Sequence, residues 1–363
     1  MKGCFRVNRG LLWQTGVILL GLWGISPAVV ADSVASKTLG QFTSAGTKVT
    51  AERIVKTGEV IWSFFFLGEE QIFLCHRSGR MALVDLKKKS VQDVSGGPTV
   101  VARGQGGLLD CEPHPQFEKN QLVYFTYAGR GKKGNTTQLG RARLKGTTLA
   151  GRQLLFSAKA ERSTSHHFGS RLVFEPDGKT LFMTVGDRGA RDLAQDLSSH
   201  AGKVLRLTHK GKPAANNPFL KVKKALPEIY SYGHRNPQGL ARHPNTGAIW
   251  ESEHGPKGGD EINLIQPGKN YGWPVITYGW EYSGGKVGRG ISQKKGMQQP
   301  VKYYVPSIAP SGLVFYTGQI KPWQGNLFSG ALVLTHLNRI TFKGSQATGE
   351  ERLLESLSRR IRS

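Results

Sequence analysis

The sequence has few acidic residues for its length. Its 363 residues include 25 Asp and Glu against 50 Lys and Arg, which gives a formal net charge of +25. The basic residues are dispersed in short runs and are not interleaved with aromatic residues, so the sequence argues against a nucleic-acid partner. The charge indicates a solvated basic surface, with loose attraction to anionic lipid or polymer as the alternative.

Cysteine is scarce as well, and several cofactor motifs are missing. Beyond residue 31 only Cys75 and Cys111 remain, too few for a disulfide scaffold; two buried thiols are favoured, and a disulfide between them stays open. No G-x-G-x-x-G lies between a strand and a helix, and there is no G-x-x-x-x-G-K-[ST], so nicotinamide cofactors and nucleoside triphosphates have little support. A G-x-S-x-G hydrolase turn and the paired histidines of a zinc helix are absent too.

The first 31 residues have the pattern of a secretory signal. Lys2, Arg6 and Arg9 precede an apolar run over residues 16–25, and small residues lead to a cleavage site after Ala31. The apolar run is about half the roughly 20 residues that a spanning helix needs, and no other segment could cross a bilayer. We therefore expect an exported, periplasmic chain without stable membrane insertion, with one domain over residues 32–363.

The rest of the chain predicts an all-β fold. Long amphipathic helical patterns are lacking, and short β-rich runs alternate with turns supplied by 47 glycines and 17 prolines. A phrase made of a small residue, Leu, a turn and a strand recurs about every 70 residues, with its leucines at Leu108, Leu172, Leu240 and Leu313. With an earlier unit that begins near Trp62, five units are visible, and a β-propeller of six large blades is expected over a two-sheet sandwich.

Four glycine-rich phrases combine charged residues with backbone freedom. Propeller loops collect at the ends of the central channel, where several blades can contribute to one ligand site. A histidine there can accept a proton at neutral pH, and Arg235 can bind an anion, although either residue type could simply be a hydrogen-bonded loop residue. Asp260 and Glu261 offer oxygen ligands suited to calcium, or form a solvated turn. The phrases span residues 165–172, 233–239, 253–261 and 268–274.

The order of these phrases and the residues in them resemble one known family. Arg-Asn-Pro-Gln-Gly, Glu-His-Gly-Pro, Gly-Asp-Glu-Ile-Asn and Asn-Tyr-Gly-Trp-Pro follow one another within a stretch from Trp62 to Arg362. Together they are similar to the soluble sugar dehydrogenases that depend on pyrroloquinoline quinone, especially the bacterial aldose sugar dehydrogenases. The resemblance implies a six-bladed propeller with the quinone over the channel mouth. It also implies oxidation of the anomeric hydroxyl of an aldose to a lactone, with electrons passing on to a periplasmic cytochrome or quinone.

The resemblance also assigns roles to individual residues. His167 corresponds to the general base, Asp187 to the carboxylate that orients it, and Arg235 to the cation that holds the quinone oxygen and stabilises negative charge. The quinone ligands that it implies are Arg235, Gln105, Asn236, Tyr282, Arg360 and Arg362. Calcium touching the quinone would be held by the carbonyls of Gly255 and Pro256, and a further calcium by Glu261 and the Tyr271 carbonyl.

Two departures from the family pattern stand out. Val333 follows Gly-Ala-Leu where the family has a lysine, and the chain ends at Ser363, before the strands that complete the last blade in the family. An incomplete last blade is therefore expected. The alternatives to a dehydrogenase are a propeller that binds a sugar or anion without oxidising it, and a calcium-dependent lactone hydrolase. A monomer and a homodimer are both compatible with the sequence.

Overall fold

The computed structural model describes the backbone of residues 2–8 and 16–20 and the whole of residues 32–363. Most of the predicted signal segment, including its cleavage site at Ala31, lies outside the described residues. The two described stretches of that segment are strands β1 and β2, and they share a four-stranded sheet in the order β2-β1-β4-β3. The strands of this sheet are β1 (Lys2–Asn8), β2 (Gly16–Leu20), β3 (Ser33–Ser44) and β4 (Thr47–Thr57).

Two further four-stranded antiparallel sheets follow along the chain, each made of consecutive strands. The first contains β5 (Ile61–Leu67), β6 (Gln71–His76), β7 (Met81–Asp85) and β8 (Ser90–Val94). The second contains β9 (Leu108–Pro113), β10 (Leu122–Arg130), β11 (Asn135–Lys145) and β12 (Thr148–Ser157), with the short helix α1 (Phe117–Asn120) before β10. β6 is buried along nearly all its length, which explains its continuous apolar run, whereas the outermost strand β12 is largely exposed.

The remaining strands form three more sheets with the same meander order. They are β13 (Leu172–Phe174), β14 (Thr180–Val185), β15 (Lys203–Thr208) and β16 (Ile229–Tyr232); β17 (Pro237–Arg242), β18 (Ile249–Glu253), β19 (Asp260–Ile265) and β20 (Lys302–Tyr304); and β21 (Pro310–Phe315), β22 (Leu327–Ala331), β23 (Leu337–Lys343) and β24 (Gln346–Leu353). Short 3₁₀ turns occupy Arg191–Ala194, Lys321–Trp323 and Glu355–Leu357. No helix among the described residues is long and apolar enough to span a membrane.

The first strands of successive sheets lie side by side around a common centre. β5 contacts β9, β9 contacts β13, β13 contacts β17, and β17 contacts β21. The four leucines of the sequence repeat fall on the last four of these strands and are all buried. The all-β prediction and a propeller of five blades are therefore confirmed, and each repeat unit corresponds to one blade.

The sheet of β1 to β4 packs between the last blade and the first. Val49 and Ala51 share a core with Trp323 of the last blade, while Ile54 and Val55 share another with the first blade. The end of the chain also joins the last blade, since Ile361 N donates to Ala331 O and the Arg362 carbonyl accepts from Gly312 N. A count of six blades stays a prediction.

The two cysteines are joined, contrary to the preferred interpretation of the sequence. Cys75 on β6 and Cys111 on β9 form a disulfide, and both are fully buried in the apolar layer between the first two blades. The residues are 36 positions apart, and only the packing of neighbouring blades brings them together. The prediction of two buried thiols was wrong.

Candidate active site

His167 lies in the loop that leads into β13. Its backbone adopts a positive φ of 55°, and its N–H donates to Gln105 Oε1 at 2.8 Å. The strand end that carries Asp187 comes very close to this loop: a Cβ on Gly186 would lie 2.3 Å from the His167 carbonyl oxygen. Glycine is therefore required at position 186, and this contact sets Asp187 beside His167.

His167 and Asp187 form a hydrogen-bonded pair. His167 Nδ1 lies 2.7 Å from Asp187 Oδ1, which also accepts from Gly189 N at 2.7 Å. The other carboxylate oxygen, Oδ2, accepts from the indole Nε1 of Trp273 at 2.8 Å. With the Nδ1 proton directed at the carboxylate, Nε2 of His167 is left as the nitrogen that can accept a proton.

The surroundings keep His167 neutral and Asp187 charged. Burial lowers the pKa of His167, and the charge of Arg235 acts in the same direction, while the hydrogen bond with Asp187 opposes both. Burial alone would raise the pKa of Asp187, but the hydrogen bond with His167 and the charges around it outweigh burial, so that this pKa falls below its ordinary value. A neutral imidazole held by a carboxylate is the arrangement of a general base.

Arg235 and Asn236 line the same site from the loop before β17. Arg235 Nη1 donates to the His254 carbonyl at 3.1 Å, and its guanidinium carbon lies 5.3 Å from the centre of the Trp273 ring. Within the described part of the chain, Arg235 Nε and Asn236 Nδ2 are buried and have no hydrogen-bond partner. Buried donors without acceptors are costly, so this pair is suited to an oxygen-rich or anionic ligand.

The other predicted quinone ligands differ in their positions. Arg362 stacks on Trp62 at 3.9 Å and donates to Gln238 Oε1 at 3.1 Å. Burial lowers the pKa of Arg362, and the charges of three neighbouring arginines add to this effect, so positive charge is concentrated here. Arg360 is partly buried, whereas Tyr282 is 72% exposed on an outer loop. Gln105 reaches the site through its contact with His167 N.

The predicted calcium ligands are divided between two places. Asp260 does not serve as a free ligand, because it accepts from Gly255 N at 2.9 Å and from the backbone N–H groups of Ile308 and Ala309. It instead shapes the turn that presents the Gly255 and Pro256 carbonyls. Those two carbonyl oxygens and that of Tyr271 accept no hydrogen bond from the described residues, which leaves them available to a hard cation.

A buried acidic group beside Glu261 was not predicted. His234, Glu251 and Glu253 place ligand atoms within 4.8 Å of one another, and Asn263 Nδ2 lies 3.1 Å from Glu251 Oε2 and 3.2 Å from Glu261 Oε2. Burial and the charge of Glu253 raise the pKa of Glu251 well above its usual range. The two strands pair Glu251 with Asn263 and Glu253 with Glu261, so polar residues at every second position of β18 and β19 were the signal that could have revealed this group.

Comparisons with known proteins identify the family of the chain. The family model described as Glucose / Sorbosone dehydrogenase matches residues 59–363. Aldose sugar dehydrogenase YliI of Escherichia coli is 39% identical over 307 residues, covering 83% of this chain and 82% of that protein. The structure of the soluble E. coli aldose sugar dehydrogenase in its apo form superposes with a TM-score of 0.80 at 38% identity, covering 84% of this chain and 89% of that one. The PQQ-bound aldose sugar dehydrogenase of Streptomyces coelicolor superposes with a TM-score of 0.69 at 27% identity, covering 93% and 89%.

Proposed function

The chain belongs to the glucose/sorbosone dehydrogenase family of oxidoreductases, and on this premise we propose that it oxidises the anomeric hydroxyl of aldose sugars to lactones with pyrroloquinoline quinone. One observation carries the proposal. The His167–Asp187 pair lies next to Arg235 and Asn236, whose buried Nε and Nδ2 atoms have no partner among the described residues. A base beside unpaired donors is what removal of a proton next to an electron acceptor requires.

The sugar would lose a proton to His167 and a hydride to the quinone. His167 Nε2 takes the proton of the anomeric hydroxyl, and Asp187 stabilises the imidazolium that results. The hydrogen on the anomeric carbon leaves with its electron pair as the new C=O bond of the lactone forms. When bound, pyrroloquinoline quinone supplies the electrophilic centre that accepts this hydride. Arg235 stabilises negative charge that develops on the acceptor side.

The cationic residues of the site fit a cofactor that carries carboxylates. We assign Arg235, Asn236 and Arg362 to quinone binding, with Gln105 and Arg360 beside them. Burial lowers the pKa of His254 to about 3, and the nearby charges of Arg362 and Arg235 act in the same direction. Since His254 in turn contacts Arg235 through its carbonyl, the positive charges form one continuous region. Tyr282 would join the site only if its exposed loop moved inward.

Calcium fits the oxygen ligands described above. We assign the carbonyls of Gly255 and Pro256 to an ion that contacts the quinone, and Glu261 with the Tyr271 carbonyl to a further ion. Carbonyl and carboxylate oxygens are the ligands that calcium prefers. The ion at Gly255 and Pro256 would act as a Lewis acid.

The proposal also covers the export of the chain, its electron acceptor and the number of blades. Residues 1–31 act as a cleaved secretory signal, supported by their basic start and apolar run, and the mature enzyme works in the periplasm. There it passes electrons to a cytochrome or quinone. The sheet that contains β3 and β4 occupies a sixth blade position, supported by its packing against both the first and the last of the five blades.

Turnover with added cofactors tests the function. Purified protein with pyrroloquinoline quinone and calcium should reduce an artificial electron acceptor when an aldose is supplied. His167→Ala should abolish turnover and retain quinone binding. His243→Ala is the control. Asn236 precedes β17 and His243 follows it, and the six extended residues between them span ~20 Å. Folded protein that binds the quinone and gives no sugar-dependent turnover, or a fully active His167→Ala, would overturn the proposal.

A further inference from the structure

Trp273 contacts both Asp187, which holds the proposed base, and Arg235, the cation of the proposed site. Its indole Nε1 donates to Asp187 Oδ2 at 2.8 Å, and the face of its ring lies 5.3 Å from the Arg235 guanidinium. It is 5% exposed and comes from the loop after β19, 86 residues from Asp187 in sequence. We propose that Trp273 is a positioning residue, whose N–H fixes one oxygen of Asp187 so that the other stays on His167 Nδ1. This role rests on the proposed function of His167 as the base.

The distribution of donors around Asp187 supports this role. Oδ1 accepts hydrogen bonds from two donors, His167 Nδ1 and Gly189 N. Oδ2 receives only the indole N–H among the described residues. The terminal torsion of an aspartate has a broad minimum, so a carboxylate held through one oxygen can rotate and draw its other oxygen toward His167. The indole holds the second oxygen and thereby fixes the plane of the carboxylate.

Trp273 is itself firmly held. Its backbone N–H donates to the Gly233 carbonyl at 2.8 Å, and its carbonyl accepts from Gln195 Nε2 at 2.7 Å. Arg191 lies 5.6 Å from the ring centre and forms an ion pair with Glu281. Two guanidinium groups near the ring draw electron density from it, which strengthens the indole N–H as a donor to the carboxylate.

Removing the indole N–H should change His167 in a defined direction. The charged or titratable groups that face His167 are Asp187, Arg235, His166 and His254, and Trp273 adds no charge to them. Without the indole donor, the charge of Asp187 is less dispersed and attracts a proton on His167 more strongly. We therefore expect the His167 pKa to rise by about 0.5–1 pH unit, the size of one net hydrogen bond.

The test measures His167 directly, without relying on turnover. In calcium-loaded protein labelled with ¹⁵N-histidine, NMR titration gives the tautomer and pKa of His167, whose signals are identified by their loss in His167→Ala. Trp273→Phe removes the donor and keeps an aromatic ring, and 3-benzothienylalanine at position 273 replaces the N–H with sulfur at nearly constant shape. Both changes should raise the pKa of His167, because the less dispersed charge of Asp187 holds the added proton more strongly.

Trp323→Phe is the matched control. Trp323 is also buried, and its indole donates to Ser44 Oγ at 2.9 Å. The Trp323→Phe variant therefore loses the same kind of hydrogen bond at a different place in the molecule. If His167 titrates the same in both position-273 variants as in the wild type or in Trp323→Phe, Trp273 has no positioning role. With the quinone bound, the acid limb of kcat/KM should shift upward with the NMR value. The NMR result stands even if the wild-type protein oxidises no sugar, so failure of the proposed function is distinguished from failure of this inference.

Discussion

Replacing Asp187 with asparagine removes one charge and changes one hydrogen-bond acceptor into a donor, while the side chain keeps its shape. Three donors converge on this carboxylate: His167 Nδ1, Gly189 N and Trp273 Nε1. An amide has only one oxygen to offer them. If the oxygen faces His167 and Gly189, the amide NH₂ meets the indole N–H; if it faces Trp273, the NH₂ meets His167 and favours the tautomer that carries its proton on Nε2.

The expected loss of activity follows from these contacts. Keeping the productive tautomer leaves the buried indole N–H unpaired, at a cost of about 1–3 kcal/mol. The imidazolium formed during the reaction loses its attraction to the carboxylate charge. With an effective dielectric constant of about 20, this loss is about 3 kcal/mol. Since each 1.36 kcal/mol is tenfold in rate, the two effects together lower kcat by roughly 10³–10⁴-fold.

The assay is aldose-dependent reduction of an artificial acceptor by quinone- and calcium-loaded protein. Quinone binding should survive in Asp187→Asn, because Arg235 and Asn236 are unchanged. Asp196→Asn is the control, since Asp196 is exposed and its side chain accepts hydrogen bonds from Ser198 alone among the described residues. A kcat within tenfold of the wild-type value would refute the reasoning, because neither orientation of the amide could then be as unfavourable as the contacts require.

Two further predictions concern pH and stability. Because burial and Arg235 lower the pKa of His167 and the base must be unprotonated, kcat/KM should fall only as the pH drops below about 6.5; an acid limb centred above that value in a pH–rate profile would contradict this assignment. Changing both Cys75 and Cys111 to alanine should lower the free energy of unfolding by about 3–4 kcal/mol, given their separation of 36 residues. Denaturant unfolding measures this, and an unchanged midpoint would show that the cross-link contributes nothing.

The repeat of the blades was predictable because each blade begins with the same local chemistry. Leu108, Leu172, Leu240 and Leu313 all lie on the first strand of a blade, where the chain turns inward and is buried. The hairpin of β3 and β4 has no such phrase, and β3 is mostly exposed with little apolar periodicity. Its place between two blades depends on long-range packing that leaves no local pattern.

The disulfide and the acidic group beside Glu261 escaped prediction for a similar reason. Cys75 and Cys111 belong to different blades, so their contact depends on how two sheets pack. Glu251 and Glu253 lie on the buried strand β18, where pairing with β19 places Asn263 and Glu261 beside them and the loop before β17 brings His234 to Glu253. A resemblance that assigns roles to individual residues identifies the ligands known for a family and overlooks the residues that support them.

The position of the proposed base relative to Arg235 depends on the contact between two neighbouring blades. The Asp187 N–H donates to the Arg235 carbonyl at 2.8 Å, and Asn236 Oδ1 accepts from Gly169 N at 3.3 Å. The loop after β14 is thus joined to the loop before β17 by a backbone hydrogen bond, and the loop before β13 is joined to it through the Asn236 side chain. The base and the cation therefore do not shift independently. Trp273 adds a third connection from the loop after β19. The relative position of base and cation is therefore determined by the two sheets β13–β16 and β17–β20 and does not require a particular arrangement of the sheet that contains β3 and β4.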